Sequence, residues 1–419
     1  MPTDIKTGVI AGIDVHKKML AVVVARADAP DKSLQEVKFG ATMGELRRLS
    51  EWLRQQEVAD VVMESTAKYW KPVWMALETS FRLHLAQAMS NRAPRGRKTD
   101  FGDCRRLVRR WVAGDLRLSY VPEGEQRKWR LLTHTRLQYV RQVVRLRNQM
   151  EGVLEEAGIK LSGVVSDLFG MSGLRILDAL AGGQKDAAAL AALGDDRLRV
   201  SKEALEDALS GRVEAEHQLL LRQHLEQLRE LIRQVQELDA AIGASLHQHA
   251  EAVGRLCEVP GIAVTAAEQI IAEIGPHAAA FDSPEQMASW IGVCPGRQES
   301  GGDSHSTRSP KGNRTMRSVL TQVAWAAVRT RESRWRELFT RWVSRLGPQK
   351  AIWAVAHRMA RLIWKLLHQG VRYLERELFQ LRPEVVARRK QRLVRQLRKL
   401  GYEVALKPSL LTDSAPVTR

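Results

Sequence analysis

Near the start of the chain two runs rich in β-branched residues, VIAGIDVH and MLAVVVARA, are separated only by Lys17 and Lys18. So short a connection between two such runs predicts adjacent strands of a hairpin. LQEVKFG reads as a third strand, TMGELRRLSEWLRQQE as a helix and ADVVMES as a further strand. KYWKPVWMALETS is helical in pattern and RLHLAQAMS strand-like. A β-meander followed by alternating helices and strands argues for an α/β domain, a mixed sheet with helices against it. SYVPEGE, with its Pro and Gly, ends this domain near residue 120.

The pattern then turns helical, marked by Leu132, Val140, Val143, Leu146, Met150 and Leu154. Residues 160–200 are rich in Ala, Gly and Leu, as in short helices and loops. Leu221, Leu225, Leu228, Ile232, Val235, Leu238, Ile242 and Leu246 follow at spacings of three and four, as in a coiled-coil seam. That seam suits either a long helix packed inside its own chain or a device for self-association. The division expected is 1–120, a helical and coiled-coil middle at 121–250, a mainly α domain at 251–370 and a basic tail at 371–419. The tail, RRKQRLVRQLRKLGYEV, fits a solvated helical extension or a phosphate-contacting arm.

Charge narrows the partners. Lys and Arg number 66 against 48 Asp and Glu, a formal net charge of +18 over 419 residues. Such an excess suits a polyanion. No apolar run approaches the roughly 20 residues of a membrane span, and the N-terminus has no export-signal pattern. The expectation is a nucleic-acid partner, with neither a membrane partner nor export. Cys104, Cys257 and Cys294 form no CxxC pair and read as buried small residues of a reducing compartment.

Against this basic background four acids stand out. Asp14 ends the first strand, in AGIDVH, and Glu64 ends a later one, in VVMES. Asp100 and Asp103 lie three apart in TDFGDCRRLVRRWV, on one face if that segment is helical. Strand ends bearing acids beside a helix bearing two more form a cage of hard oxygen ligands suited to Mg²⁺ or Mn²⁺. Two such ions about 4 Å apart can hold the attacking and leaving oxygens of a phosphodiester. Arg95, Arg97, Lys98, Arg105 and Arg106 crowd the same stretch and could hold phosphates. In the alternative, Asp100 caps the helix and Asp103 pairs with an arginine. His16 and His305, near the proposed groups, read as ordinary polar residues.

Farther on, EVPGIAVTAAEQIIAEIG looks like a helix–hairpin–helix whose turn can direct N–H groups at a phosphate. It leads into QESGGDSHSTRSPKGNRTMRSVL, where the glycines after Ser300 put that hydroxyl in an open loop. Lys311, Arg314 and Arg317 add cations at a helix start. Residue chemistry alone reads ESGG as a surface turn, and Ser304, Ser306 and Ser309 are rival nucleophiles.

Taken together, these motifs are specific. The strand aspartate before a hairpin, the later strand glutamate and the KTDxxD helix resemble the DEDD, RuvC-like (RNase H-like) domain. More narrowly, they resemble the domain that opens the insertion-sequence transposases of the IS110 family. The order PGI, EIG, F, ASWIGVCP, SGG, KGN, R is similar to that family's C-terminal transposase domain. The resemblance implies that Asp14, Glu64, Asp100 and Asp103 bind Mg²⁺ or Mn²⁺. It implies that Ser300, followed by Gly301, is a nucleophile forming a phosphoserine link to DNA. It further implies a dimer or tetramer with composite sites, acting on target and donor DNA under the guidance of a structured bridge RNA. The rivals are a metal-only nuclease or junction resolvase, and a non-catalytic nucleic-acid-binding assembly protein.

Overall fold

The computed structural model describes residues 8–64, 67–91, 99–195, 198–296, 298–300, 303–306, 309–331 and 333–374. It also describes short pieces of the tail at 391, 394–395, 397–398 and 403–405. The chain divides into two units, Met1–Glu123 and Gly124–Arg419.

The first unit is a mixed sheet with helices on both faces. Its strands are β1 (Val9–Val15), β2 (Met19–Arg26), β3 (Ser33–Gly40), β4 (Val58–Glu64) and β5 (Arg82–Ala86). Helix α1 (Met43–Gln55) precedes β4, α2 (Trp70–Leu77) precedes β5, and α3 (Asp100–Val112) follows it. The spatial order is β3-β2-β1-β4-β5; the first three strands are antiparallel, and β4 and β5 run parallel to β1. The alternation of side chains across each strand decides what each helix covers. Ala11, Ile13 and Val15 of β1 and Val61 and Met63 of β4 pack with Leu46, Leu49 and Leu53 of α1 and with Val73 and Leu77 of α2. Ile10 and Val62 point the other way, onto Leu107 and Val108 of α3. Cys104 of α3 joins Ala21 and Val23 of β2 and donates its Sγ–H to the Ala21 carbonyl at 3.1 Å.

One small residue sets how near α3 comes. A Cβ built on Gly12 would lie 2.5 Å from the Cys104 carbonyl oxygen and 2.9 Å from Cγ2 of Val108. With hydrogen in that place, the first turns of α3 rest on the β1 backbone. Thr99 begins the helix in extended conformation, its Oγ1 accepting from the Gly102 amide at 3.2 Å.

The second unit is mostly helical. Long helices α4 (Gly124–Glu156) and α9 (Ala215–Ser245) bracket four short ones, α5 (Leu161–Val164), α6 (Met171–Ala181), α7 (Ala187–Ala191) and α8 (Lys202–Leu209). α10 (Ala250–Cys257), α11 (Val264–Ile274) and α12 (Pro284–Ile291) follow. Next come the hairpin β6 (Gln298–Ser300) and β7 (Asp303–Ser306), and then α13 (Arg314–Arg329), α14 (Arg334–Leu346) and α15 (Pro348–His368).

The leucine seam of α9 is used inside the chain. Leu221, Leu225 and Leu228 share a core with Met150, Val153 and Leu154 of α4 and with Ile176, Leu177 and Leu180 of α6. Ile242 and Leu246 join a second core with Trp129 of α4 and the helices beyond. The two long helices are therefore antiparallel neighbours. The helix–hairpin–helix reading falls on α10 and α11, but the turn between them at Gly261 lies against Val323 and Ala327 of α13. Close packing, rather than an open phosphate seat, occupies that turn. Among the described residues no helix is long and apolar enough to cross a membrane. Most of the basic tail lies outside the described residues.

Replacing Gly12 with Ala drives a methyl group into the α3 backbone. Overpacking of this kind costs about 1–3 kcal/mol, so denaturant unfolding of the G12A variant is expected to show that loss in the first unit. An unchanged midpoint would mean that α3 does not depend on this contact.

Candidate metal centre and serine loop

Asp14 and Glu64 occupy the carboxyl ends of the neighbouring parallel strands β1 and β4. The alternation that turns Ile10 and Val62 toward α3 turns Asp14 and Glu64 the same way. Asp100 and Asp103 stand in the first turn of α3, three residues apart. Asp103 is 7% exposed and Asp14 9%. Open α/β sheets place ligand sites at such strand ends.

The acids have different partners. The Asp14 carboxylate meets His16 Nε2 at 3.1 Å, and the same nitrogen lies 3.6 Å from Asp100. Lys38 Nζ donates to the other Asp100 oxygen at 3.4 Å. Asn91 Nδ2 donates to Glu64 at 2.9 Å, and Arg106 donates to Asp103 at 2.6 Å and to the Asn91 carbonyl at 3.3 Å. One atom each of Asp14, His16 and Asp100 can be chosen so that all three lie within 4.8 Å of one another.

Burial pushes the Asp14 carboxyl above its ordinary range; His16 opposes the rise, while Asp103, Glu64 and Asp100 add to it. Burial and the three acids together outweigh His16 and leave the ionised form of Asp14 disfavoured. A surplus of desolvated carboxylate is what a divalent cation relieves. The donors brought within reach of one ion are the hard oxygens of Asp14 and Asp100 with His16 as a nitrogen neighbour, while Glu64 and Asp103 act on Asp14 from beside it, held by Asn91 and Arg106. His16 is the residue that sequence reading passed over. Its signal was the two-residue step from Asp14, which returns a side chain to the same side of an extended strand.

The alternative weighed for the helix acids is half realised. Thr99, not Asp100, caps α3, whereas Asp103 does pair with Arg106. Of the cations expected to hold phosphates here, Arg105 is engaged by Glu36 at 2.6 Å and Arg106 by Asp103. Arg95, Arg97 and Lys98 lie outside the described residues.

In the second unit, Ser300 is the last residue of β6 and pairs in register with Asp303 across the hairpin. Its side chain, Gly301 and the side chains of Ser304, His305 and Ser306 lie outside the described residues. The neck of this serine loop is well defined. A Cβ on Gly312 would fall 2.2 Å from the Ile291 carbonyl oxygen, so the returning strand passes directly against the end of α12. Arg317 ties both sides of the neck, donating to Gly292 O at 3.2 Å and Pro310 O at 2.7 Å. Its guanidinium lies 4.8 Å from the Trp353 ring, whose indole N–H donates to Ser309 Oγ at 2.9 Å. Arg317 therefore builds the loop's base, and Ser309 belongs to the same base. Lys311 and Arg314 are exposed beside it.

Asn313 closes the arrangement. Its Oδ1 accepts from the Met316 amide at 2.9 Å, capping α13, and its Nδ2 donates to Glu273 at 2.8 Å. Glu273 is 1% exposed. Burial raises its carboxyl, but His134, Arg130 and Asn313 more than offset this and hold it below the usual range.

Two family models match the chain. One, described as Transposase and specific for the DEDD domain of IS110 elements, covers residues 11–159; the other, Transposase IS116/IS110/IS902 family, covers 253–340. A Sinorhizobium fredii protein named as a transposase (y4pF/y4sB) is 30% identical over 159 residues, which are 37% of this chain and 41% of that protein. The match thus spans well under half of that relative's length. A Pseudomonas aeruginosa protein named as a family 20 transposase is 25% identical over 333 residues, 78% of this chain and 89% of the relative.

Two outcomes follow from the site geometry. A raised folded-state pKa at Asp14 means that the metal-free fold loses stability as pH rises through the interval between the unfolded and folded values. Asp14→Asn is therefore expected to raise the metal-free melting temperature at neutral pH by a few degrees, on the order of 1 kcal/mol. It should also abolish most of the rise that Mg²⁺ or Mn²⁺ gives the wild type; an equal metal-induced rise in both proteins would remove Asp14 from the site. Gly312→Ala should lower the melting temperature of the second unit, and a wild-type melting curve would show that the neck yields without cost.

Proposed function

This chain belongs to the IS110 family of transposases, and from that premise we propose that it cuts and rejoins DNA through Ser300 and the four-acid site. The observation that carries this reading is the convergence of Asp14, Glu64, Asp100 and Asp103 at the ends of β1 and β4 and the start of α3. The first unit is then an RNase H-like, RuvC-like domain, and Mg²⁺ or Mn²⁺ is the ion it holds. When bound, that ion neutralises charge developing on phosphate oxygens and favours the ionised form of an attacking hydroxyl.

The chain's own groups do the rest. Asn91 and Arg106 hold Glu64 and Asp103 in place, as outer partners orient ligands elsewhere. Ser300 Oγ forms a bond to phosphorus, the bond from phosphorus to one sugar oxygen breaks, and the serine proton ends on that oxygen. Attack by the hydroxyl of a second strand on the phosphoserine reverses these changes and rejoins the DNA. The pinched neck at Gly292, Pro310 and Gly312 supports Ser300 by fixing the base of a tip that must meet a phosphorus. A structured bridge RNA pairs with target and donor DNA and selects the sequence, while the protein holds backbones. The working assembly is a homodimer or homotetramer in the DNA-bearing cytoplasm.

Labelled junction DNA incubated with the protein, Mg²⁺ and RNA from the flanks of its own locus, then denatured, is expected to yield a protein-linked band. The band should vanish with Ser300→Ala and with Asp14→Ala. Cleavage that leaves no band and is unaffected by Ser300→Ala would instead identify a metal-only nuclease, for which the acids of the first unit alone suffice.

A further inference from the structure

Several arginines of this chain meet a carboxylate: Arg82 meets Asp60, Arg105 Glu36, Arg136 Asp239 and Arg229 Asp178. Two on α14 and α15 share an aromatic ring instead. Arg341 and Arg358 have no carboxylate partner among the described residues, and their guanidiniums lie 5.9 and 5.2 Å from the ring of the same tryptophan, Trp342. Arg361, one turn on, pairs with Glu285 of α12, the acid that serves this cluster. Burial together with Arg341 and Arg361 pulls Arg358 below the ordinary guanidinium range, so these like charges are close and incompletely neutralised. His357 is also held down, by burial and by Arg361 and Arg358, against the opposing Glu285.

The cluster has a telling location. Arg361 and Glu285 both act electrostatically on Cys294, at the entry to the serine loop. Trp353, Ser309's partner on the return side, stands on the same helix as His357 and Arg361 at steps of four. α15 thus borders the loop's neck and carries Arg358 on the same helix.

We propose that Arg341 and Arg358, with Trp342 as their platform and Arg361 beside them on Glu285, bind the phosphodiester backbone of a nucleic-acid strand beside the neck of the serine loop. The inference rests on the reading of the chain as a DNA-processing enzyme and adds where the protein grips a strand near Ser300. A guanidinium held over an indole has already lost part of its rotational freedom, so less is lost when a phosphate docks. Arg358, Arg361 and Lys365 are all exposed along α15. Arg358 and Lys365 lie seven residue steps apart, roughly 10 Å of helix, enough to meet about two or three phosphates of one strand. A single small anion would leave most of that charge unused.

The test compares Arg341→Gln/Arg358→Gln with Arg229→Gln/Arg233→Gln, which removes two paired arginines from α9. Full-length protein is titrated with short labelled DNA and RNA, single-stranded and duplex, across a salt series. Two lost phosphate contacts are expected to reduce the slope of log K against log salt by about 1.4–1.8 for the first variant, with little change for the second. Arg358→Lys, which keeps the charge, should recover most of the slope lost at that position and so separates contact loss from misfolding. The nucleic acid whose slope responds tells DNA from RNA. An unchanged slope for Arg341→Gln/Arg358→Gln, or equal losses in both double variants, overturns the assignment while leaving the proposed activity standing. Failure of the wild type to bind any of these nucleic acids would overturn that activity, and this site with it.

Discussion

Mutual repulsion among carboxylates is the constraint around which the first unit is organised. Asp14 is nearly buried, and three further acids raise the cost of its charge. Here the acids are fixed to rigid elements: two parallel strands whose register is set by their hydrogen bonds, and a helix pressed onto them. The missing side chain at Gly12 lets the Cys104 carbonyl sit where a methyl group would otherwise be. That contact brings Asp103 to the strand ends, while Leu107 and Val108 seal the helix to the sheet. Burying each such side chain is worth roughly 1.5–3 kcal/mol, and so the apolar face opposes the strain that the polar end imposes.

The basic residues beside these acids then have a double meaning. Lys38 and Arg106 are spent on Asp100 and Asp103, and Arg105 on Glu36, instead of standing free for phosphate. The exposed Lys38–Asp100 pair contributes little to stability. Its value is to hold a carboxylate in position, at an energy small enough for an incoming cation to displace. On α14 and α15 the balance is reversed, with guanidiniums left without acids around Trp342. A net charge of +18 is therefore unevenly available, and local pairing decides where a polyanion can be gripped.

The second unit meets its own constraint by tying a loop at the neck. Arg317 bridges Gly292 and Pro310, Trp353 holds Ser309, and Asn313 is anchored to the buried Glu273. These groups come from several helices, so the loop's base is only as well placed as the packing of α11, α12, α13 and α15 around their shared core. The serine nucleophile proposed above would gain from a base fixed in this way. The entropy lost in fixing the base is met during folding and need not be met again when substrate arrives.

Much of this was legible in the residues. Apolar runs bounded by turn residues located β1, β2 and β4, and an acid at the end of such a run is a local signal needing no tertiary information. The three-residue step from Asp100 to Asp103 likewise put both on one helix face, and the alternation of strands and helices announced a mixed sheet. Other features were beyond reach because they depend on residues distant in sequence. His16 became part of the acidic cluster only when α3 brought Asp100 beside it. The leucine seam of α9 fitted a partner chain as well as its own, and α4 and α6 decided the matter by offering Met150, Leu154 and Leu177 as a nearer surface. Arg317 read as a free cation until Trp353 and two carbonyls closed around it. By itself, then, the sequence determined which segments are strands and helices and what chemistry they carry, since periodicity and propensity act locally. Only the tertiary structure decided which charges meet, because an ion pair or a close backbone approach depends on distances that local pattern does not encode.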